Sequence, residues 1–206
     1  MSNWIVITIG AIAQILFSSR LILQWILSEK SKKVLTPVLF WEFSLLASFL
    51  LFVYGYLRND FAIMLGQTIT YYIYIRNMQL QHQWEKLAKP LRIFIYLFPL
   101  LILTYGYNNG IYDRQKLFHN ENIPAWLFVL GIFSQMLFTF RFVYQWLYSE
   151  KRKESHLPLG FWIISLSGSF LILVYAIFRR DPVLFIGQLT GFIVYFRNIV
   201  IIQKNK

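Results

Sequence analysis

Two arginines, Arg20 and Arg141, lie within segments that are otherwise apolar, and each belongs to a stripe of polar residues. On a helix of 3.6 residues per turn, one face carries this set of positions: Gly10, Gln14, Phe17, Arg20, Gln24 and Ser28. The same residue types recur on a second stripe: Gly131, Gln135, Phe138, Arg141, Gln145 and Ser149. An ionisable side chain inside a bilayer is costly and indicates a functional site. Because a planar guanidinium binds phosphate through two parallel hydrogen bonds, the stripes favour an anionic, phosphate-bearing ligand.

Two interpretations of the stripes remain open. In the first, both polar faces line a cavity close to the cytoplasmic side, and a lipid phosphate neutralises the two arginines. In the second, the arginines extend to the headgroups and the glutamines hold helices together. For the first interpretation, the residues that would line the cavity beside the arginines are Gln14, Gln24, Gln67, Tyr74, Gln135, Gln145, Gln188 and Tyr195.

Further candidate ligand-binding residues flank these stripes. Tryptophans near the cytoplasmic helix ends are typical of an interfacial belt, and their rings could also stack on a sugar: Trp25, Trp41, Trp146 and Trp162. Gln67 is well inside an apolar segment and therefore needs a hydrogen-bond partner. Two Arg-Asn pairs suit phosphate binding or positive-inside anchoring: Arg76-Asn77 and Arg197-Asn198.

The composition identifies the chain as a polytopic membrane protein. It is 57% hydrophobic and 14% charged, whereas soluble domains average about 45–50% apolar and about 25% charged. The absence of cysteine excludes disulfides, thiolate metal sites and cysteine nucleophiles. Neither a glycine-rich phosphate loop, a nucleophile triad nor a paired catalytic carboxylate occurs. We therefore expect no enzymatic activity, no cofactor and no metal.

Seven apolar segments predict seven transmembrane helices, since a span needs about 20 residues. They are Trp4–Leu27, Val38–Leu57, Phe61–Ile75, Ile93–Tyr112, Ala125–Tyr148, Leu159–Phe178 and Pro182–Phe196. Residues 107–124 read as an external loop. At the outer end of the third span, Arg58 and Asp60 are expected to pair with each other or to cap a helix rather than to couple protons.

Most lysines and arginines outside the spans then fall on the side that holds the C-terminus. The positive-inside rule places that side in the cytoplasm and the N-terminus outside. A charged leader and a small-residue cleavage site are missing, so we expect the first span to remain as an anchor.

An internal repeat is the strongest pattern in the chain. Residues 10–80 align with residues 131–201 at a constant offset of 121 without a gap, and 28 of the 71 pairs are identical. Identical Gln, Arg, Ser and Asn residues inside apolar spans are not explained by shared composition. The pattern predicts three parts: a first three-helix repeat (4–80), a linker with a single helix and an external loop (81–123), and a second repeat (124–202). The single helix lets the two repeats run parallel, related by a pseudo-two-fold axis along the membrane normal.

The repeated residues resemble the lipid A biosynthesis N-terminal (LABN) domain, twice. The matching positions are Gln14, Phe17, Arg20, Gln24-Trp25, Ser28-Glu29-Lys30, Pro37, Phe40-Trp41, Ser44, Arg58-x-Asp60, Gly66-Gln67 and Tyr74-x-Arg76-Asn77, with their counterparts 121 residues later. The resemblance implies a 3+1+3 fold similar to the PQ-loop and SWEET carriers and a location in the bacterial inner membrane. It also implies a link to lipid A or to polyprenyl-phosphate-linked sugars, and it does not imply the synthase reaction.

We expect a carrier, flippase or lipid-binding protein for a phosphate-bearing lipid-linked sugar. One alternative is a non-transporting subunit that docks an envelope glycosyltransferase of the lipid A pathway. A facilitator of free small sugars is the other. We expect no nucleic-acid partner, and we expect a monomer, because one chain holds both repeats.

Overall fold

The computed structural model describes residues 3–57, 61–108, 124–180 and 182–204, and all of its regular structure is helical. Seven α-helices lie in these ranges. They are α1 (Asn3–Ser31), α2 (Val38–Leu57), α3 (Phe61–Leu80), α4 (Lys89–Asn108), α5 (Ala125–Arg152), α6 (Leu159–Arg179) and α7 (Pro182–Lys204). A short 3₁₀ turn, Trp84–Lys86, precedes α4. The all-helical prediction is confirmed.

Among the described residues, three helices are long and apolar enough to cross a membrane: Trp4–Ser31 of α1, Val38–Leu57 of α2 and Leu159–Phe178 of α6. Two predicted segments were too short, because α3 continues past Ile75 to Leu80 and α7 continues past Phe196 to Lys204. Arg76 and Arg197 therefore lie within regular helix rather than at helix ends. The fourth helix begins at Lys89 instead of Ile93. Arg58, Asp60, Asp181, the Arg179 side chain and residues 109–123 of the expected external loop lie outside the described residues.

The first two helices of each repeat are joined in the same way. After α1, Lys32 adopts a left-handed φ of 59°, and after α5 the equivalent Lys153 has a φ of 58°. A left-handed residue ends a helix, and Pro37 and Pro158 set the start of the next helix because proline fits a first turn. The amides of Phe40 and Phe161 each donate to those prolines' carbonyls at 3.0 Å. The repeated sequence thus encodes a repeated turn.

Helices pack closely where each repeat has a glycine opposite a tyrosine. A Cβ on Gly10 would lie 2.9 Å from the Tyr54 ring, and a Cβ on Gly131 would lie 3.0 Å from the Tyr175 ring. Both pairs join the first helix of a repeat to its second. A side chain larger than hydrogen would force the rings to move.

The single helix α4 is held to α3 by two tyrosine hydroxyls. Tyr71 donates to the carbonyl of Ile95 and Tyr72 to that of Tyr96, both at 3.0 Å. Pro99 lies inside α4 and has no N–H with which to bond Ile95, four residues earlier. The Tyr71 hydroxyl therefore satisfies the carbonyl that the proline leaves without its helical donor.

The described residues form two compact units. Unit one contains residues 3–17 and 41–108, and unit two contains residues 18–40 and 124–204. Helix α1 contributes to both, because its second half and the loop after it group with α5, α6 and α7. The polar part of the first stripe, from Arg20 onward, thus belongs to the same unit as the second repeat.

Large apolar side chains remain exposed along the helices. On α5 most of these exposed residues recur every three or four positions, or at multiples of that spacing: Trp126, Val129, Phe133, Met136, Phe140 and Leu147. A helix face of this kind suits contact with lipid chains.

Candidate functional site

The Arg141 guanidinium lies in an aromatic cage within unit two. Its Cζ atom lies 3.4 Å from the ring centroid of Phe138 and 4.8 Å from that of Phe142. The Phe161 ring is 5.8 Å away, and Nη1 donates to the Tyr195 hydroxyl at 3.1 Å. The side chain is 5% exposed, so it does not extend to an open surface. Aromatic faces attract a cation, and this attraction strengthens where water is excluded.

Arg20 from the first repeat reaches the same cage. Its Cζ atom lies 5.0 Å from the centroid of Phe40 and 5.3 Å from that of Phe142. The residue is 4% exposed. Phe142 therefore contacts both guanidiniums, one from each repeat. We call this group the arginine cluster; its members are Arg20, Arg141, Phe40, Phe138, Phe142, Phe161 and Tyr195.

Phe142 was not among the residues singled out from the sequence. Its counterpart in the first repeat is Leu21, so it is not among the residues that are identical in the two repeats. Its position directly after Arg141 was the available signal. The cluster is consequently asymmetric, because one ring of the second repeat serves both arginines.

The tryptophan of each second helix packs against a tyrosine of the third helix, and in unit two that tyrosine belongs to the cage. Trp162 is fully buried, its indole nitrogen donates to the Leu157 carbonyl at 3.2 Å, and its ring centroid lies 6.1 Å from that of Tyr195. Trp41 is fully buried in unit one, 5.9 Å from Tyr74. Each tryptophan thus supports a tyrosine of its own repeat. Trp25 and Trp146 are partly buried.

Gln24 and Asn198 form a reciprocal pair of buried amides. Gln24 Nε2 donates to Asn198 Oδ1 at 2.9 Å, and Asn198 Nδ2 donates to Gln24 Oε1 at 3.2 Å. Both side chains are fully buried. Asn198 also donates to the Val194 carbonyl at 2.9 Å, so each polar atom of its amide has a protein partner. This pair, which we call the amide clamp, joins the first helix of one repeat to the third helix of the other.

Each repeat uses its glutamine and serine to close the loop after its first helix. Gln24 donates to Ser28 Oγ at 2.9 Å and to the Leu35 carbonyl at 3.2 Å. Gln145 donates to Ser149 Oγ at 2.8 Å and to the His156 carbonyl at 3.0 Å. In both loops the serine oxygen accepts a backbone amide, from Leu35 and from His156, at 3.0 Å.

His156 itself packs on Tyr148, with ring centroids 5.9 Å apart. Burial lowers the pKa of this imidazole, and the charge of Arg152 lowers it further. Since Leu35 occupies the matching position in the first repeat, the loop geometry does not require the imidazole.

The Arg-Asn pairs within the third helices, α3 and α7, differ in their surroundings. Arg197 forms an ion pair with Glu29 through Nε and through Nη2, the latter at 3.1 Å. Arg76 Nη1 donates to Gln79 at 3.1 Å. Asn77 donates to the Ile73 carbonyl at 2.9 Å, as Asn198 does to Val194. The Arg197–Glu29 pair adds a second link between the repeats within unit two.

The glutamines inside the third helices are bonded to serines of the second helices. Ser48 Oγ donates to Gln67 Oε1 at 2.9 Å, and Ser169 Oγ donates to the Gln188 carbonyl at 3.0 Å. The prediction that Gln67 requires a hydrogen-bond partner is confirmed.

The structure thus brings some predicted ligand-binding residues together within unit two and assigns others to unit one. Arg20 and Arg141 meet at Phe142. Gln14 is exposed, and the Gln135 side chain lies outside the described residues. Trp41, Gln67, Tyr74, Arg76 and Asn77 belong to unit one. A single cavity lined by residues of both units stays a prediction.

Comparison with known proteins gives one family and one group of relatives. The family model described as the lipid A biosynthesis N-terminal domain matches residues 9–79 and 130–200, which confirms the internal repeat. Lipid-A-disaccharide synthase of Chlamydia felis is 31% identical over 206 residues, covering 95% of this chain and 33% of the synthase. The synthase of Chlamydia pneumoniae is 31% identical over 179 residues, covering 85% of this chain and 30% of the relative. The chain thus spans about a third of these relatives, in their N-terminal part. No solved structure matches the chain.

Proposed function

Since this chain belongs to the lipid A biosynthesis N-terminal domain family, we propose that it binds a phosphate-bearing, lipid-linked sugar and carries it across the bacterial inner membrane. In this proposal all seven helices cross the membrane in a 3+1+3 arrangement, with the N-terminus outside and the C-terminus in the cytoplasm. Membership of this family supports a link to lipid A biosynthesis. The arginine cluster supplies the chemistry.

The observation that carries the proposal is the contact of two buried guanidiniums with one ring. Arg20 and Arg141 both approach Phe142, at 5.3 and 4.8 Å. Their positive charges repel one another, and the repulsion is strong where water is excluded. An anion that contacts both guanidiniums would offset it. Phosphate suits this role because each guanidinium can bind it through two hydrogen bonds.

Other predicted contacts are better explained as positioning groups. The amide clamp satisfies its own polar atoms, and the Arg197–Glu29 pair neutralises its own charge. Trp162 holds Tyr195, which in turn accepts a hydrogen bond from Arg141. In the proposal these residues keep the two arginines together, and the arginines bind the phosphate.

The relatives favour one alternative function. Since the matched part of each relative is joined to the rest of a lipid-A-disaccharide synthase, this chain could dock a glycosyltransferase and present lipid to it without moving the lipid. Binding of the lipid is common to both functions. Movement across the membrane distinguishes them.

The test uses proteoliposomes that contain a fluorescent polyprenyl-phosphate sugar. We expect the labelled lipid to cross faster than in protein-free vesicles, and we expect Arg20→Ala and Arg141→Ala to abolish both binding and movement while the protein still folds. Arg141→Lys should restore binding only in part, because lysine is a point charge without the planar fork. Arg152→Ala, an exposed arginine on the same helix, is the matched control and should behave as wild type.

Two results would decide against the carrier. Binding without movement, together with co-purification of a glycosyltransferase, would support the docking function. Equal binding by wild type and Arg141→Ala would refute a phosphate site at the arginine cluster.

A further inference from the structure

An open apolar groove of about 500 Å³ lies on unit two. Its walls come from α5, α6 and α7: Phe133, Leu137, Leu166, Phe170, Leu171 and Phe192. Ser167 of α6 is the polar residue of the lining and is exposed. The groove is within the usual size range of ligand sites, which is about 300–1,000 Å³. None of the lining residues belongs to the arginine cluster.

The groove leads toward the arginine cluster along α5. Phe133, Leu137 and Arg141 lie on successive turns of one side of this helix, so Arg141 is about 6 Å beyond Leu137 along the helix axis. Phe138, which follows Leu137, lies beneath the Arg141 guanidinium at 3.4 Å. The Phe138 ring is also 3.1 Å from the place where a Cβ on Gly168 would be. Gly168 follows Ser167, so the groove wall and the cage wall are continuous.

We infer that the groove binds the hydrocarbon chain of the lipid whose phosphate lies at the arginine cluster. This inference rests on the proposed function and extends it to the other end of the ligand. The α6 part of the groove lies inside Leu159–Phe178, a helix segment apolar enough to cross a membrane. An open apolar surface at that position meets lipid chains, and Arg141, one helical turn beyond Leu137, complements a lipid phosphate rather than a neutral lipid. A single polyprenyl or acyl chain extending from Arg141 past Leu137 to Phe133 fits both features.

The test fills the groove without disturbing the buried core. Ser167→Trp places an indole in the groove from an exposed position. Met136→Trp is the matched control, because Met136 is 64% exposed on α5 and does not line the groove. The probes are a long-chain polyprenyl monophosphate and geranyl monophosphate, which share a head group and differ in chain length. Native mass spectrometry of the purified full chain measures the affinity of each and the oligomeric state.

Wild type should bind the long-chain probe more tightly than geranyl monophosphate. Ser167→Trp should lower the affinity for the long-chain probe by about tenfold or more, since the burial of only two methylenes changes affinity by that order. Its affinity for geranyl monophosphate, whose short chain reaches only part of the groove, should fall by less, and Met136→Trp should match wild type for both probes.

Long-chain affinity that survives in Ser167→Trp would overturn the inference. So would a dimer that Ser167→Trp converts to a monomer with its lipid affinity intact, because the occupant would then be a second copy of the chain. If Ser167→Trp abolishes long-chain binding but Arg141→Ala leaves it unchanged, the groove holds a chain and the phosphate site of the proposed function is wrong.

Discussion

The amide clamp predicts a measurable coupling between the two repeats. Gln24 and Asn198 exchange two hydrogen bonds in a fully buried setting. Removing one partner leaves the buried oxygen of the other amide without its donor, which costs about 1–3 kcal/mol, more than the net value of a hydrogen bond itself. We therefore expect Asn198→Ala to lower the free energy of unfolding by about 2 kcal/mol. Gln24→Ala should cost more, because Gln24 also bonds Ser28 and the Leu35 carbonyl.

The double variant should lose less than the sum of the two single variants. Once one amide is gone, removing the other no longer breaks the shared bonds. Polar pairs inside membrane proteins give coupling energies averaging about 0.6 kcal/mol, with a maximum of about 1.7 kcal/mol. Because this pair has two reciprocal hydrogen bonds, its coupling energy should be about 1–1.5 kcal/mol.

The assay is thermal unfolding of the purified protein in detergent, followed by tryptophan fluorescence. In a chain of this size about 1 kcal/mol corresponds to about 2–4 °C, so Asn198→Ala should lower Tm by about 4–8 °C. The matched control is Gln14→Ala, which removes the same residue type from an exposed position of the same helix and should shift Tm by less than about 2 °C. Strictly additive losses, or a Gln24→Ala variant as stable as Gln14→Ala, would refute the clamp. Unchanged Tm with lost lipid binding would instead make these amides ligand-binding groups.

Three further predictions concern the supports of the site. Tyr71→Phe should lower Tm by about 2–6 °C, because the Ile95 carbonyl loses its donor. In a Pro99→Ala background, where residue 99 regains its N–H, the same change should lower Tm by less. An equal loss of Tm in both backgrounds would contradict this explanation. Gly131→Ala should lower the free energy of unfolding by about 1–3 kcal/mol through crowding against Tyr175. The control is Gly66→Ala, where an added Cβ meets nothing within 4 Å and the change should be neutral or stabilising. Equal losses of stability in both variants would refute the crowding explanation. Burial and Arg152 hold the pKa of His156 below its ordinary 6.5, so the folded protein favours the neutral imidazole and should lose stability as pH falls through about 6.5. His156→Leu should remove that part of the pH dependence of Tm. An unchanged profile of Tm against pH would show that the titrating group lies elsewhere.

Helical periodicity and repetition determined much of this protein from the sequence. Stripes at helical spacing placed Gln24 with Ser28 and Gln145 with Ser149, and these pairs bond each other because residues four apart are neighbours on a helix. The rule that a buried amide needs a partner anticipated that Gln67 would be bonded. Matched residues also indicated matched local contacts, as the two left-handed lysines and the two glycine–tyrosine approaches illustrate.

Only the tertiary structure decided which helices the polar faces meet. Periodicity assigns Arg20 and Gln24 to one face of α1, but it does not say what lies opposite, and the partners are Phe142 and Asn198, far away along the chain. The sequence left Asn198 and Arg197 open as phosphate ligands or as positive-inside anchors, and packing gives them Gln24 and Glu29 as protein partners. Comparison of the two repeats does not single out Phe142, because Leu21 occupies its matching position. The physical reason is that an amide or a guanidinium has the same hydrogen-bonding capacity toward a ligand as toward a protein group, and only the approach of another helix selects between them.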